Sequence, residues 1–525
     1  MAYKSRWRVD VPDTHLASIL LTTPTAPLSK TDRCFLDAER PDTHYFTTHD
    51  FRLWSQRFAA GLRKSGLRPG DRVLMFSGND LFFPVVFMGV IMAGGIFTGA
   101  IPMPVPRELA YQLGDSGATY MICARASLDT GLEAARLVGL GRDRVFVFDN
   151  TLYDGHGVGE KTCRYWGELV VSPEEGEGFA WDELSTPELA DRTLALNYSS
   201  GTTGRPKGVE IAHKNYVANL LQFTYIERLH PNYEAKRARK RCLCFLPMYH
   251  SMAEMIMIAA TLALNTPVYI MPKFDFIQML EYTQKYRITD YVVVPPIVVA
   301  LAKHPAVKNF DLSSVEVSEQ LQALWPPGKV NVRQGYGMTE TTCSMMNWDP
   351  REKGFSAARN RRGQLWLRGG NVMKGYWQNP EATKATKTED GWLKTGDVAF
   401  VDEHGKFHVV DRLKELIKVK GNQVAPAELE ALLLEHPAVA DAAVIGIATD
   451  NGERPRAYVV LKPGQVASAK DILQFIDGKV SPIKRITGGV VFIDVIPKNP
   501  SGKILRKTLR EQAQKELKQG ATAKL

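Results

Sequence analysis

The sequence predicts an α/β fold, with a large N-terminal domain of mixed or parallel sheets and flanking helices and a small α+β C-terminal domain. The chain has 525 residues, which is more than one domain normally contains. From residue 16 to residue 122 helical and strand-like segments alternate, a pattern typical of βα units around a mainly parallel sheet. A compact α+β pattern follows residue 411, so we predict domains at 1–411 and 412–525.

The individual elements follow from hydrophobic periodicity. Segments with helical spacing predict helices, and short apolar runs predict strands. The predicted helices cover residues 51–65, 80–93, 107–116, 255–264 and 426–435. The predicted strands cover residues 72–76, 96–101, 120–122, 144–149, 193–198, 242–246, 268–271 and 291–294.

The composition excludes several classes of protein. Hydrophobic residues make up 44% and charged residues 23% of the chain, which excludes wholesale disorder. The net charge of +9 suits either nucleic-acid binding or an enzyme whose substrates carry several phosphates. The apolar stretch 81–102 is interrupted by Pro84 and several glycines, so it predicts a buried helix running into a strand and not a membrane span. The six cysteines are expected to be reduced and mostly buried.

The clearest chemical signal is the segment 198–209, which reads YSSGTTGRPKGV. Its glycines let a ligand approach the main chain, and successive N–H groups beside hydroxyls form a donor surface suited to phosphate oxygens. Lys207 adds a positive charge for the distal phosphates. A flexible surface loop is the alternative. The common P-loop pattern is excluded, because it requires glycine where Pro206 stands.

A second signal is the segment 334–340, which reads QGYGMTE. Its glycines, Gly337 among them, allow a tight turn past a ligand, and Tyr336 offers a face on which adenine can stack. Thr339 can donate to a phosphate, and Glu340 can hold a hard cation such as Mg²⁺. A glycine-rich turn at the end of a strand is the alternative interpretation.

Three further features are less specific. Asp397 suits a ribose diol, because one carboxylate accepts two hydrogen bonds. His250 follows a predicted strand, and it is either a core histidine or a gate or substrate contact. The basic cluster 236–241 predicts a solvated loop, with a site for the phosphates of a large nucleotide cofactor as the alternative.

These segments occur in the same order in the adenylate-forming ligase superfamily, which contains acyl-CoA synthetases, luciferases and nonribosomal adenylation domains. The chain resembles most the branch of 4-coumarate–CoA ligase and related acyl- and aryl-CoA ligases. The resemblance covers nearly the whole chain. It is carried by PREL at 106–109, the segments 198–209 and 334–340, GNVMKGYW at 370–377 and QVAPAELE at 423–430.

The resemblance implies that the small C-terminal domain is mobile and that the active site lies between the domains. In such enzymes a carboxylate attacks the α-phosphate of ATP to give acyl-AMP and pyrophosphate, and the thiol of coenzyme A then displaces AMP. ATP, Mg²⁺ and coenzyme A are therefore expected, with a small carboxylic acid as the further partner and no nucleic acid. The small domain is expected to rotate about residues 412–414 between the two steps.

The resemblance also assigns roles to residues of this sequence. Binding of ATP and AMP is assigned to Ser199, Ser200, Gly201, Thr202, Thr203, Gly204, Lys207, Tyr336, Gly337, Thr339, Asp397, Arg412, Lys414 and Lys503. Catalysis is assigned to Lys503, Lys418, Thr339 and His250, and the metal to Glu340. Coenzyme A is assigned to Lys420, Gly421 and Gln423. The acyl pocket is expected at Tyr249, His250, Met252, Thr342 and Cys343.

Two stretches are shorter than the family pattern. Family members carry a strand and a Gly-Ala-Ala-Pro-like loop after the turn that matches 311–314, whereas this chain passes almost directly into 317–321. The second shortfall lies between residues 348 and 364. A truncated gene sequence is one explanation, and reduced activity is the other.

Three functions therefore remain open. The first is an aryl-CoA ligase for a cinnamate- or phenylacetate-like acid. The second is a medium- or long-chain fatty acyl-CoA ligase, and the third is a relative that binds without turnover.

The last three residues, AKL at 523–525, are a close variant of the Ser-Lys-Leu peroxisomal address, which acts at the extreme C-terminus. The sequence therefore predicts recognition by the peroxisomal import receptor and a peroxisomal location, with the cytoplasm as the alternative.

Overall fold

The computed structural model of the chain describes residues 3–22, 28–102, 105–199, 206–315, 335–347, 351, 363–419, 422–449, 452–499 and 502–522. Backbone contacts divide the chain into two compact units. The first unit contains 1–293, 297–353 and 368–391, and the second contains 294–296, 354–367 and 392–525. This grouping places residues 392–411 with the second unit, and the predicted domain boundary after residue 411 stays a prediction.

The helices of the described residues are short to medium in length. They are α1 (Leu16–Leu21), α2 (Thr48–Lys64), α3 (Phe83–Met92), α4 (Pro106–Ser116), α5 (Leu128–Val138), α6 (Pro173–Glu177), α7 (Pro187–Ala190), α8 (His213–Arg228), α9 (Tyr233–Arg237), α10 (Ser251–Ala253), α11 (Thr261–Ala263), α12 (Phe276–Tyr286), α13 (Pro295–Lys303), α14 (Pro380–Thr386), α15 (Pro426–Leu434), α16 (Ala469–Asp477) and α17 (Arg506–Thr522). A π-helical segment, Glu254–Ala260, joins α10 to α11.

The strands form four sheets. They are β1 (Arg33–Asp37), β2 (Tyr45–Thr47), β3 (Arg72–Phe76), β4 (Ile96–Ala100), β5 (Tyr120–Ala124), β6 (Val145–Phe148), β7 (Arg164–Tyr165), β8 (Thr193–Ser199), β9 (Lys207–Ala212), β10 (Cys242–Cys244), β11 (Val268–Ile270), β12 (Gly363–Leu367), β13 (Gly375–Tyr376), β14 (Leu393–Val401), β15 (Phe407–Arg412), β16 (Ile417–Val419), β17 (Asn422–Val424), β18 (Val439–Thr449), β19 (Gly452–Leu461) and β20 (Val490–Phe492).

The largest sheet lies in the first unit and has the strand order β13-β9-β8-β4-β3-β5-β6-β7. Its centre is parallel, because β3 pairs in parallel with β4 and β5, and β5 pairs in parallel with β6. The helices α3, α4 and α5 make the connections between these strands. The predicted parallel βα arrangement is therefore confirmed. At the other side β8 and β9 form an antiparallel hairpin, which β13 extends.

A second sheet of the first unit has the order β10-β11-β1-β2. The strand predicted at 291–294 is wrong, since the described chain makes only one bridge beside β10, between Cys242 and Asp290. The physical reason is the pair Pro295 and Pro296, which begins α13 directly afterwards. Proline has no N–H for a ladder and restricts the residue before it, so the segment turns into a helix.

The second unit contains two sheets. A three-stranded sheet has the order β12-β14-β15, and a larger one has the order β17-β16-β19-β18 with β20 beside β19. Alternate residues of β18 face opposite sides of the larger sheet. Ala442 and Val444 pack with α15 and α16, whereas Ala443 and Ile445 pack with α17. The compact α+β unit predicted for this part of the chain is therefore confirmed.

Two predictions from composition can be compared with the described residues. All six cysteines are free and buried, as expected. Every residue of α3 is buried, which confirms the prediction that the apolar stretch around it forms a core helix. Among the described residues, no helix is both long and apolar enough to cross a membrane.

Candidate functional site

The predicted phosphate loop is the connection of the β8–β9 hairpin. Ser199 and Lys207 are cross-strand partners at the end of that hairpin, so they fix the two ends of the loop. The predicted phosphate ligands Ser200, Gly201, Thr202, Thr203 and Gly204 lie outside the described residues.

Helix α4 holds both ends of this loop. The Tyr111 hydroxyl donates to the carbonyl of Pro206 at 2.9 Å, and the Tyr198 hydroxyl donates to the carboxylate of Asp115 at 2.6 Å. Tyr111 and Asp115 are four residues apart and therefore lie on one face of α4. The two ends of the loop are therefore held by α4 as well as by the sheet.

Tyr376 joins the phosphate hairpin to the second predicted segment. The Lys207 ammonium lies 4.8 Å from the centre of the Tyr376 ring, within range of a cation–π interaction. The Tyr376 hydroxyl donates to Glu340 Oε1 at 2.9 Å. Burial, and then the charge of Glu340, raise the pKa of Tyr376, so its hydroxyl remains a donor at neutral pH. Lys207, the predicted phosphate lysine, and Glu340, the predicted metal ligand, therefore contact the same side chain.

Helix α8 holds the segments that carry Glu340 and Tyr376. The Asn215 amide donates to the carbonyls of Gly370 and Val372 at 2.8 and 2.9 Å. One turn later, the Asn219 amide both donates to and accepts from the backbone of Ser344. These bonds satisfy backbone groups of two irregular segments that have no sheet partner for them.

Asn371 links the same two segments directly. Its amide donates to the carbonyls of Thr341 and Ser344 at 3.2 and 2.8 Å. In return the Thr342 hydroxyl donates to the carbonyl of Asn371 at 2.8 Å. Thr342 has a φ of 68°, which is uncommon for a β-branched residue. Such backbone strain persists where surrounding contacts over-determine the conformation, as they do here.

The predicted adenine and α-phosphate residues lie beside this network. Tyr336 is half-buried and forms an antiparallel bridge with Met346. Thr339 is half-buried and opens the turn that contains the buried Glu340. Gly337 leaves no space for a side chain, since a Cβ there would lie 1.8 Å from the carbonyl oxygen of Cys343.

The predicted acyl-pocket residues come from two parts of the first unit. Tyr249, His250 and Met252 are half-buried and precede or begin α10, with the Tyr249 and His250 rings 4.9 Å apart. Gly99 of β4 packs closely on Tyr249, and a Cβ on Gly99 would lie 2.9 Å from that of Tyr249. Thr342 and Cys343 belong to the second part, the segment 335–347, and both are buried.

Glu254 connects these two parts. Its backbone N–H donates to the carbonyl of His250 at 3.0 Å, and its side chain is fully buried. Burial, and then the carboxyl of Glu254, raise the pKa of the Cys343 thiol to about 12. Glu254 therefore lies near Cys343 as well as one helical turn from His250.

In the second unit Asp397 and Arg412 face each other across β14 and β15. Arg412 Nε lies 3.5 Å from Asp397 Oδ1, so the two predicted ribose ligands form an ion pair. Asp397 is largely buried and its backbone N–H donates to the Thr395 hydroxyl at 3.0 Å. Lys414 follows directly and is exposed.

Three of the predicted catalytic and coenzyme A residues of the second unit, Lys418, Gln423 and Lys503, are exposed. Lys418 and Gln423 are cross-strand partners in β16 and β17. Lys503 lies in a turn in which its backbone N–H donates to Asn499 Oδ1 at 2.8 Å. Lys420 and Gly421 lie outside the described residues.

The basic cluster 236–241 is partly occupied by contacts within the protein. Lys240 forms ion pairs with Glu227 and Asp290. Burial alone would lower the pKa of Lys240, but these two carboxylates outweigh it and raise the pKa. Arg241 donates to the carbonyl of Tyr286. The end of the cluster therefore has a structural role.

Sequence reasoning missed several residues that shape the site. Tyr376 lies within a segment quoted only for the family resemblance, and Glu254 directly precedes the helix predicted at 255–264. The available signal for Glu254 was a charged residue inside an apolar run. The roles of Asn215, Asn219 and Asn371 had no local signal, because their partners are distant in sequence.

The close contact at Gly337 yields a prediction. We expect Gly337→Ala to reduce the free energy of unfolding by about 3 kcal/mol, the upper end of typical overpacking costs, because backbone atoms must move. The measurement is urea denaturation followed by tryptophan fluorescence.

Gly335→Ala is the matched control in the same segment. A Cβ at Gly335 would meet its nearest atom, Asn347 Oδ1, at 3.3 Å, so we expect a cost below about 1 kcal/mol. Equal stability of the two variants would contradict the described path of residues 337–343.

The sequence was compared with family models. The model described as AMP-binding enzyme matches residues 28–358. The model described as AMP-binding enzyme C-terminal domain matches residues 428–503. The two matches lie in the order expected from the motifs.

Curated relatives match nearly the whole chain. A 4-coumarate–CoA ligase 1 from Petroselinum crispum is 36% identical over 520 residues, covering 91% of this chain and 90% of the relative. A 4-coumarate–CoA ligase 1 from Narcissus pseudonarcissus is 36% identical over 530 residues, covering 93% and 92%.

Solved structures share the fold. ATP-bound MatB from Rhodopseudomonas palustris has a TM-score of 0.78 and 25% identity, covering 95% of this chain and 98% of its own. The anthranilate CoA ligase AuaEII in complex with anthranoyl-AMP has a TM-score of 0.80 and 22% identity, covering 97% and 99%, and it bears on the fold alone. The chain belongs to the family of AMP-binding, adenylate-forming enzymes and is similar over nearly its whole length to 4-coumarate–CoA ligases.

Proposed function

We propose that this chain is an ATP-dependent acyl- or aryl-CoA ligase. It joins a carboxylic acid to AMP with release of pyrophosphate, and then transfers the acyl group to the thiol of coenzyme A. The observation that supports this most is the contact of Lys207, Tyr376 and Glu340 at the end of the β8–β9 hairpin. Lys207, the predicted phosphate-binding cation, and Glu340, the predicted metal ligand, both contact Tyr376.

The first step brings a carboxylate onto the α-phosphate, so two anions must approach each other. The barrier is therefore lowered chiefly by positive charge held in place before the reaction. Lys207 has a fixed position over the Tyr376 ring, which suits it to the phosphates of ATP. Lys503 is exposed in a turn, and we assign it to the charge that develops when pyrophosphate leaves.

The residues near Lys207 suit a Mg²⁺ ion. Glu340 is a buried carboxylate whose position is fixed by Tyr376. Mg²⁺ is typically bound by one or two carboxylates together with substrate phosphates. Among the described residues no group of three or more His, Cys, Asp or Glu side chains could hold a metal. We propose that the phosphates of ATP supply the other ligands. When bound, the ion would neutralise phosphate charge.

The roles proposed for the nucleoside ligands follow the sequence motifs. We propose that adenine stacks on Tyr336, that Thr339 donates to the α-phosphate and that Asp397 accepts from the ribose hydroxyls. Arg412 Nε lies 3.5 Å from Asp397 Oδ1, and a carboxylate accepts hydrogen bonds without donating any. Lys414, which follows the pair, adds positive charge for the nucleotide.

The second step requires a path for a thiol. We assign this path to the β16–β17 hairpin, where Lys418 and Gln423 are exposed partners and residues 420–421 form the connection. The thiol sulfur attacks the acyl carbonyl carbon, the bond to the AMP phosphate oxygen breaks, and the thiol proton leaves to solvent. Rotation of the small domain about residues 412–414 would exchange Lys503 for this hairpin.

The acyl substrate is proposed to be an aromatic acid of the cinnamate or phenylacetate type. Tyr249, His250, Met252 and Cys343 offer aromatic, thioether and thiol surfaces that suit a flat apolar group. A medium- or long-chain fatty acid is the second candidate, since Met252 and the apolar π-helical segment also suit an alkyl chain.

A panel of acids separates these candidates. We expect purified protein with ATP, Mg²⁺ and coenzyme A to form the thioester of cinnamate or phenylacetate at least about tenfold faster than that of decanoate or palmitate. The measurement is mass spectrometry of the acyl-CoA product. Preference for the alkyl acids would favour the second candidate, and absence of any acyl-AMP or acyl-CoA would favour a relative that binds without turnover.

Lys503→Ala separates the two half-reactions. We expect acyl-AMP formation to fall by about 10²- to 10³-fold, because one positive charge that stabilises the transition state is lost. Transfer from supplied acyl-AMP to coenzyme A should remain within about threefold of the wild type. Pyrophosphate release and thioester formation measure the two steps separately.

Lys507→Ala is the matched control, since Lys507 is an exposed lysine of α17 with no assigned role. Its two half-reactions should equal those of the wild type. An equal loss of both half-reactions in Lys503→Ala would contradict the role of Lys503.

We also propose that AKL at 523–525, which lies outside the described residues, is a peroxisomal address. A fluorescent protein fused ahead of residues 515–525 should enter peroxisomes, and the same fusion without residues 523–525 should remain in the cytoplasm. Equal distribution of the two fusions would exclude the address.

A further inference from the structure

Helix α4 is joined to the residues on both sides of Lys207, the lysine assigned to the phosphates of ATP. Lys207 is the first residue of β9, between Pro206 and Gly208. The Tyr111 hydroxyl donates to the carbonyl of Pro206 at 2.9 Å, so one bond from α4 reaches the residue before the lysine. The residue after the lysine, Gly208, is the cross-strand partner of Tyr198, which receives the second contact from α4.

This second contact is a hydrogen bond between Tyr198 and Asp115. The Tyr198 hydroxyl donates to Asp115 Oδ2 at 2.6 Å, a length typical of a hydroxyl bonded to a carboxylate. Burial, and then the bond to Asp115, raise the pKa of Tyr198, so its hydroxyl keeps the proton that it donates. Hydrogen bonds that a carboxylate accepts are stronger than neutral ones, so this bond is a firm attachment of β8 to α4.

The ring of Tyr198 transmits this attachment to the backbone beside Lys207. A Cβ on Gly208 would lie 3.2 Å from Tyr198 Cζ, so the ring packs directly against the backbone of Gly208. On the other edge of β9, the Trp377 N–H donates to the carbonyl of Gly208 at 2.8 Å. The residue that follows Lys207 is therefore held from β8 and from the chain after β13.

Helix α4 is itself fixed to the centre of the large sheet. Gln112 Nε2 donates to Thr98 Oγ1 and to the carbonyl of Gly99, both at 3.0 Å, which ties the helix to β4. Arg72, the first residue of β3, donates to the carbonyl of Ser116 at the end of the helix at 3.0 Å. The helix that holds the two neighbours of Lys207 is thus anchored to two central strands.

These contacts matter because a lysine side chain is long and flexible. A cation lowers the barrier to an anionic reaction most when its position is fixed before the reaction begins. The Lys207 ammonium lies 4.8 Å from the centre of the Tyr376 ring, which restrains the far end of the side chain. The bonds from α4 restrain the backbone from which the side chain starts.

We propose that Tyr111 and Asp115 of α4 are positioning residues for the phosphates of ATP, which they serve by fixing the backbone on both sides of Lys207. This inference rests on the proposed ligase function and adds to it two residues outside the segments that predicted the site. The distal phosphates leave as pyrophosphate in the first step. The positioning is therefore required for ATP and not for AMP or acyl-AMP.

Nucleotide binding without turnover tests this role. Isothermal titration calorimetry of the full chain, with Mg²⁺ and no carboxylic acid, gives the dissociation constants of ATP and AMP. We expect Asp115→Leu to weaken ATP binding by about tenfold, which corresponds to the loss of one hydrogen bond to a carboxylate. AMP lacks the distal phosphates, so its dissociation constant should stay within about twofold of that of the wild type.

The same variant also separates the two half-reactions. In exchange of pyrophosphate into ATP, the KM for ATP should rise by about tenfold in Asp115→Leu, and the KM for the acid should not change. Transfer from supplied acyl-AMP to coenzyme A should equal that of the wild type, because acyl-AMP no longer carries the phosphates assigned to Lys207.

Further substitutions identify the bonds that carry the effect. Asp115→Asn keeps an oxygen that accepts from Tyr198, so ATP binding should stay within about threefold of that of the wild type. Tyr198→Phe removes the donor of the same bond, and it should match Asp115→Leu. The double variant should bind ATP no more weakly than either single variant, because both remove one bond. Tyr111→Phe should weaken ATP binding in the same direction.

Asp129→Leu is the matched control. Asp129 is an exposed aspartate of α5 that pairs with Lys161, so it also joins a helix to another segment. Neither residue has an assigned role in the reaction. The affinities of this variant for ATP and AMP should equal those of the wild type.

The outcomes separate the positioning role from the ligase function. Unchanged ATP binding in Asp115→Leu would overturn the positioning role, and so would an equal loss of ATP and AMP binding, which indicates a general structural effect. The ligase function would stand in both cases. Urea denaturation shows whether each variant is folded, and Tyr198→Phe carries the same test if Asp115→Leu does not fold. A wild type that binds neither nucleotide and turns over no acid would overturn both proposals.

Discussion

The candidate site of the first unit depends on one side chain, Tyr376. Its ring face contacts Lys207, and its hydroxyl contacts Glu340. The ammonium of Lys207 lies over the face of the Tyr376 ring, and the hydroxyl at the ring edge donates to Glu340. Among the described residues neither charged side chain forms an ion pair. A direct pair would neutralise both charges, whereas the tyrosine fixes both positions and leaves each charge available to a ligand. Three segments that are far apart in sequence must therefore meet at this one side chain.

Two helices make that meeting possible. On α4, Tyr111 and Asp115 hold the two ends of the phosphate hairpin. On α8, Asn215 and Asn219 hold the two segments that carry Tyr376 and Glu340. Both helices use side chains spaced by four residues, which project from one face. The irregular segments proposed to bind a ligand are thus positioned by regular elements, which is how a site keeps a fixed geometry without a sheet of its own.

Much of the fold could be predicted from local sequence. The strand predicted at 72–76 has those bounds in the structure, and the parallel sheet followed from the alternation of elements. The strand predicted at 291–294 failed, because apolar residues alone do not decide between strand and helix when two prolines follow. The helix predicted at 255–264 is present, but its first part, Glu254–Ala260, is π-helical, which hydrophobic periodicity does not reveal.

The candidate site was only partly predictable. The segments 198–209 and 334–340 carry residue types that suit phosphate and metal, so they could be identified without a structure. Tyr376 could not be given a role, because its partners Lys207 and Glu340 are joined to it only by folding. Glu254 has the same limitation, since its burial beside Asn197 depends on the packing of β8 against a helix.

Exchange of labelled pyrophosphate into ATP tests the central claim most directly. The account predicts that the purified chain, with Mg²⁺ and a suitable carboxylic acid but without coenzyme A, moves the label into ATP in proportion to the acid added. Such exchange requires reversible formation of acyl-AMP. A folded protein that gives no acid-dependent exchange with aromatic, aliphatic or hydroxylated acids would contradict the claim.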